Sequence, residues 1–200
     1  MLGTERAYAR KQGHSLLFIE GFADWEYRLL AASATEWFGA RAVSLTPDGL
    51  HVKGISGFRL TPDRSTSIDD NRDLDALAVI GSDTWTGEAA LDVAELLGSV
   101  ASRRGVIGGI CAGTLALARA GMFEKAGHTS NGCEWIKSHE AGYAGDGNYQ
   151  DVAHAVGRRQ GRLRAGIGAG YVRTRFPGNA LSRETRRCRS YADAFRQGVW

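Results

Sequence analysis

Cysteine and proline are scarce, three of each in 200 residues. The cysteines stand at 111, 133 and 188, an odd set with no close pair. That excludes a disulfide framework and points to a reducing compartment, so the expected location is cytoplasmic. No apolar run approaches the roughly 18 residues of a membrane span. The first residues lack the basic, apolar, then small layout of a secretory leader, and no membrane partner is expected. Metal-ligand spacing is also missing. His51, His139, His154, Cys133 and Cys188 have no partners at zinc distances along the chain. No glycine loop has the pattern of a phosphate or dinucleotide cradle; the glycines at 166, 168 and 170 follow no strand-to-helix arrangement. Neither a metal nor a cofactor is therefore expected.

Charge is abundant, and its total misleads. The chain has 25 basic and 22 acidic residues, net +3. Residues 158–200 hold eleven arginines, no lysine and two acidic groups, so the preceding stretch is net acidic. Arginine-rich segments bind phosphates. This one has no recognition helix and no aromatic pattern beyond Tyr171 and Phe176, so nucleic acid is not expected as a partner. Two other readings of the segment are open: it packs on the sheet with arginines outward, or a locally shifted reading frame produced its composition.

The length fits one domain. Residues 1–14 read as a disordered extension. Residues 15–200 read as a single α/β domain, atypical over 158–190. Leu16–Ile19 is a short apolar run of the kind buried on both faces of a parallel sheet. From Asp24, a plausible N-cap, apolar residues recur at helical intervals through Trp25, Leu29, Ala32, Thr35, Trp37 and Phe38, and Gly39 ends them. Strands follow at 42–45, 77–81 and 105–110. A glycine-containing hairpin is expected over 49–61 and a polar loop over 62–73. Helices are expected over 88–100 and 114–120. Further on, strands over 151–156 and 163–167 and a helix over 180–196 are weaker readings. Apolar strands alternating with helices predict a mostly parallel sheet covered on both faces.

The chemistry concentrates in Gly109-Ile110-Cys111-Ala112-Gly113, between the last clear strand and a helix. This is the cysteine form of a nucleophile elbow, in which small flanking residues allow a sharp turn that lifts the central side chain above the sheet. The helix start favours a thiolate, and the Ala112 N–H can point at a developing oxyanion. Glu26, just after the first strand, belongs at the same carboxyl edge of the sheet. There it could hydrogen-bond the thiolate or act as general base. Gly81-Ser82, after the strand at 77–81, could offer a second backbone N–H. Each residue also has an ordinary reading: a buried cysteine, a solvated glutamate in a first helical turn, a plain turn.

Together, FIEGFADWE, AVIGSDTW, GVIGGICAGTLALARAG and HTSNG resemble the ThiJ/PfpI family, the stand-alone branch of the class I glutamine amidotransferase-like superfamily. The resemblance covers about residues 15–145. It implies a flavodoxin-like three-layer sandwich with a small β-hairpin, and usually a homodimer. It implies Cys111 as nucleophile, Glu26 as its carboxyl partner, and Gly81 or Ser82 with Ala112 as oxyanion-hole amides. Ala112 stands where peptidase-like members carry a histidine, so peptidase activity is not expected. Ser82 stands where a second glycine is common. His128 is the best remaining histidine for a general base near the cysteine, and equally reads as a loop histidine bonded to backbone. The expected function is a hydrolase, amidotransferase-like or glyoxalase/deglycase-like enzyme acting on a small carbonyl or amide substrate. The alternative uses the same thiol without turnover, as a redox-sensing or stress-protective protein.

Overall fold

The computed structural model describes residues 13–156 and the backbone of residues 164–168. Residues 1–12, Cys188, the helix expected over 180–196 and the rest of the Arg-rich segment lie outside the described residues.

A parallel sheet forms the middle layer. Its strands are β1 (Gly13–Leu17), β2 (Arg41–Thr46), β5 (Arg64–Ser65), β6 (Ala76–Val79), β7 (Val106–Ile110) and β8 (Arg164–Gly168), in the order β5-β2-β1-β6-β7-β8. Every pairing is parallel. Without the short edge strand β5, this is the 2-1-3-4-5 order of a flavodoxin-like fold. The antiparallel hairpin β3 (Val52–Lys53) and β4 (Arg59–Leu60) lies within the expected 49–61.

The alternation of side chains along β1 and β6 explains the three layers, because successive residues in a strand face opposite sides. Leu17, Ile19, Leu77 and Val79 join one core with α2 (Ala94–Ser102), α3 (Thr114–Arg119) and α4 (Cys133–His139). Leu16, Phe18, Ala78 and Ile80 join the other, under α1 (Asp24–Phe38) and the hairpin. In that second core the rings of Phe18, Phe22 and Tyr27 meet edge to face at 4.9–5.8 Å.

Several expectations need correction. Strand β1 takes in Gly13 and His14, which the sequence reading placed in the extension. The first residue of α1 is Asp24 and its N-cap is Ala23. The Asp24 carboxylate accepts hydrogen bonds from the Ser56 N–H (2.9 Å) and Oγ (2.7 Å), so it ties the hairpin tip to the helix start. The row of α1 that meets the core is Tyr27, Leu30, Ala31 and Ala34, while Trp25, Leu29 and Trp37 are exposed. Helix α2 begins at Ala94, where Asp92 Oδ1 accepts the Ala94 N–H at 2.9 Å, and not at 88. The loop at 62–73 contains β5 and a 3-10 turn. Helix α4 was not foreseen, and residues 151–156 form no strand. Among the described residues, no helix is long and apolar enough to cross a membrane.

Candidate active site

Three adjacent strands, β1, β6 and β7, end at the same edge of the sheet. Their order reverses between β1 and β6, where open α/β sheets leave a crevice for ligands. The segments that follow carry Glu26, Gly81 and Cys111.

The elbow forms because the backbone has little choice. Ile110 is extended (φ −118°, ψ 134°), Cys111 turns left-handed (φ 52°), and Gly113 is already helical (φ −59°, ψ −19°). A left-handed non-glycine residue is strained by about 1–3 kcal/mol and must be held by its surroundings. Thr114 Oγ1 donates to the Cys111 carbonyl at 2.7 Å and shares a 2.6 Å hydrogen bond with Ser130 Oγ. Gly113 lies so close to β6 that a Cβ there would run into the Val79 carbonyl. Glycine at 113 is required by packing.

Cys111 is half-buried, and its sulfur touches three groups. Asn131 Nδ2 donates to Sγ at 3.4 Å, the Ala112 N–H donates to it, and the Glu26 carboxyl hydrogen-bonds it. Burial pushes the thiol above its ordinary value, and the Glu26 charge adds to that; the hydrogen bonds from Asn131 and Ala112 oppose it. The thiolate that a helix start would favour is thus opposed by desolvation. Glu26 is also desolvated. Its carboxyl rises from 4.5 to about 7, although the Gly81 N–H and Cys111 stabilise its charged form. The carboxyl loses its proton before the thiol.

Gly81 has a different place from the one expected. Its N–H donates to Glu26 Oε2 at 2.7 Å, which engages it with the carboxyl and not with an oxyanion. A Cβ at Gly81 would lie 2.7 Å from both Glu26 oxygens, so glycine is what admits the carboxyl here. Ser82 is buried; its Oγ donates to the Glu20 carbonyl at 2.7 Å and accepts the Thr84 N–H at 3.2 Å. It fastens the turn after β1 to the turn after β6. A surface cleft of about 860 Å³, lined by Pro47, Ser65, Arg72 and Asp92 among others, contains none of these residues.

The sequence pattern of the DJ-1/PfpI family matches residues 15–145. The chain belongs to that family. Among solved structures it is similar to a DJ-1 superfamily protein from Agrobacterium tumefaciens, with 29% identity over 92% of this chain and 99% of the other, at a TM-score of 0.73. DJ-1beta of Drosophila melanogaster (24% identity, 80% and 84% covered, TM-score 0.59) and a ThiJ/PfpI family protein of Bacillus anthracis (23%, 80% and 78%, 0.61) share the fold. No curated protein matches the sequence.

In this DJ-1/PfpI chain His128 does not have the arrangement of a base for Cys111. It is fully buried and stacked on Phe123, with ring centroids 4.0 Å apart and planes at 7°. Nδ1 lies 2.9 Å from the Ala126 carbonyl, which can only accept, so Nδ1 carries the proton. Nε2 then accepts from the Tyr143 hydroxyl. Both nitrogens are engaged, and burial lowers the ring's basicity. The loop-histidine reading describes it. The residue that sequence reasoning missed is Asn131, three positions on. Its signal lay within the quoted HTSNG, but spacing along a loop does not say which side chain returns to the elbow. Among the described residues, no group of three or more His, Cys, Asp or Glu could hold a metal ion.

Proposed function

We propose that this DJ-1/PfpI protein is an enzyme whose Cys111 adds to a small carbonyl compound, in the manner of a glyoxalase or deglycase. The observation that carries the reading is the Cys111–Glu26 hydrogen bond, with a carboxyl raised to about 7. A general acid or base works best with its pKa near the operating pH. Among the described residues, Glu26 is the acid or base bonded to the thiol, and His128 is occupied elsewhere. Amide hydrolysis needs a proton for the leaving amine and a base for water. Addition to an aldehyde needs one proton. The Glu26 carboxylate takes the Cys111 S–H proton as the sulfur bonds to the carbonyl carbon, the π pair moves to oxygen, and the carboxyl then gives that same proton to the oxygen. A single carboxyl suffices, which favours the carbonyl over the amide substrate.

The Ala112 N–H, already directed at the sulfur, and the Ser82 N–H, next to Gly81, are the backbone donors proposed for the oxygen. No cofactor enters, since conversion of a 2-oxoaldehyde and water to a 2-hydroxy acid involves no net redox change. A homodimer and a cytoplasmic location complete the reading. The exposed Trp25, Leu29 and Trp37 on α1 support the first, as does family membership; Cys111 and Cys133, both free thiols, support the second.

Turnover of methylglyoxal by the full chain and by Cys111→Ala tests the enzyme reading. Product from the wild type alone supports it. No product from either, with clean conversion of Cys111 to sulfenic or sulfinic acid by peroxide, replaces it with the redox-sensing alternative.

A further inference from the structure

Gly81 is spent on Glu26 and is not a donor for the substrate oxygen. Its N–H points at the carboxyl at 2.7 Å, and turning it to a substrate oxygen would leave a half-buried carboxyl without its partner. The remaining polar group on the sulfur is the side-chain amide of Asn131, 3.4 Å from Sγ. Three features fit it for more than packing. It is exposed, whereas Glu26 is half-buried, so of the two Asn131 is the more open to an incoming ligand. The two residues just before it are pinned: Ser130 to Thr114 of the elbow, and Thr129 Oγ1 to the Val152 carbonyl at 3.1 Å. An amide nitrogen also carries two hydrogens, so one can stay on the sulfur while the other takes a second acceptor.

We propose that Asn131 is a catalytic residue of this site, whose side-chain amide stabilises the Cys111 thiolate in the free protein and the oxygen of the adduct once a carbonyl has added to the sulfur. The proposal rests on the carbonyl-addition reading above. When the S–C bond forms and the carbonyl π pair moves to oxygen, the negative charge leaves the sulfur for an atom bonded to the adjacent carbon. An exposed donor already beside the sulfur follows that charge with a small rotation. Glu26 supplies the proton that makes the oxygen neutral, and Asn131 gives up none.

The test uses the full chain with Asn131→Ala, Asn131→Asp and Asn131→Gln. Cys111 alkylation by iodoacetamide is followed by peptide mass spectrometry, and methylglyoxal turnover is measured across substrate concentrations. Thermal melts establish that each variant is folded; Asn131→Gln keeps the donor and guards against a purely steric loss. Alkylation near neutral pH is expected to slow about tenfold in Asn131→Ala, as for loss of a charge-assisted hydrogen bond, and further in Asn131→Asp. Loss of one oxyanion donor is expected to lower kcat about a hundredfold with KM little changed, and Asn131→Gln to recover part of it. Asn131→Ala that alkylates and turns over within about twofold of wild type overturns the proposal. Slower alkylation with unchanged kcat overturns the oxygen-binding half. If the wild type converts no 2-oxoaldehyde, the carbonyl reading itself fails; slower alkylation of Asn131→Ala then still upholds the contact to sulfur.

Discussion

Two polar clusters, one around Cys111 and one around His128, differ in how far their groups are satisfied. His128 has a partner for each ring nitrogen, a stacked phenylalanine and no exposure. Cys111 has a strained backbone, a half-open thiol, and a carboxyl that burial holds near neutrality. Strain and incompletely compensated burial persist only where the surrounding fold enforces them, and they cluster at functional sites. A saturated network makes a histidine part of the scaffold. An unsaturated one leaves a thiol and an acid able to exchange a proton with a ligand.

Breaking the first cluster should affect chemistry and spare the fold. Cys111→Ser is expected to lower methylglyoxal turnover by about a thousandfold or more, with a melting temperature no lower than wild type; substantial residual turnover would remove the cysteine from the mechanism. Glu26→Gln, which retains an acceptor for the Gly81 N–H, should lower turnover about a hundredfold. It should also change the pH dependence of stability. The folded protein keeps a proton on Glu26 between 4.5 and about 7 that the unfolded chain has released, so stability falls as pH rises through that window. The raised pKa corresponds to about 3 kcal/mol at most. Denaturant midpoints between pH 4 and 8 should show that slope in wild type and lose it in Glu26→Gln.

Breaking the second cluster should do the reverse. His128→Asn removes a buried ring stack and leaves the Tyr143 hydroxyl and Ala126 carbonyl without their partner. We expect a loss of about 2–4 kcal/mol with Cys111 alkylation changed by less than about twofold. A large drop in alkylation without unfolding would return His128 to the site. Tyr143→Phe deletes only the donor to Nε2, and about 1 kcal/mol is expected from chemical denaturation, the smallest effect of the series.

How legible this was in the sequence varied with the physics behind each element. The buried strands β6 and β7 are continuous apolar runs that only a covered parallel sheet explains, and both were readable. The elbow was readable because its constraint is local: Gly109, Ala112 and Gly113 are small where a tight turn packs against β6. The buried face of α1 was not, because its outer face carries Trp25, Leu29 and Trp37, an apolar row as strong as the one that meets the core. Helix α4 and Asn131 follow a loop whose path is set by long-range contacts such as Thr114 to Ser130. The commitment of the Gly81 N–H to Glu26 spans 55 positions of sequence and could not be read from either residue alone.

The account turns on Cys111 and Glu26 acting as one titrating pair. The rate of Cys111 alkylation by iodoacetamide, measured from pH 5 to 10 in wild type and Glu26→Gln, tests it most directly. Shared titration predicts two rises in wild type, the first near the Glu26 value of about 7, and a single rise in Glu26→Gln. One rise at the same pH in both proteins would contradict it, and would leave Cys111 an ordinary half-buried thiol beside an unrelated carboxyl.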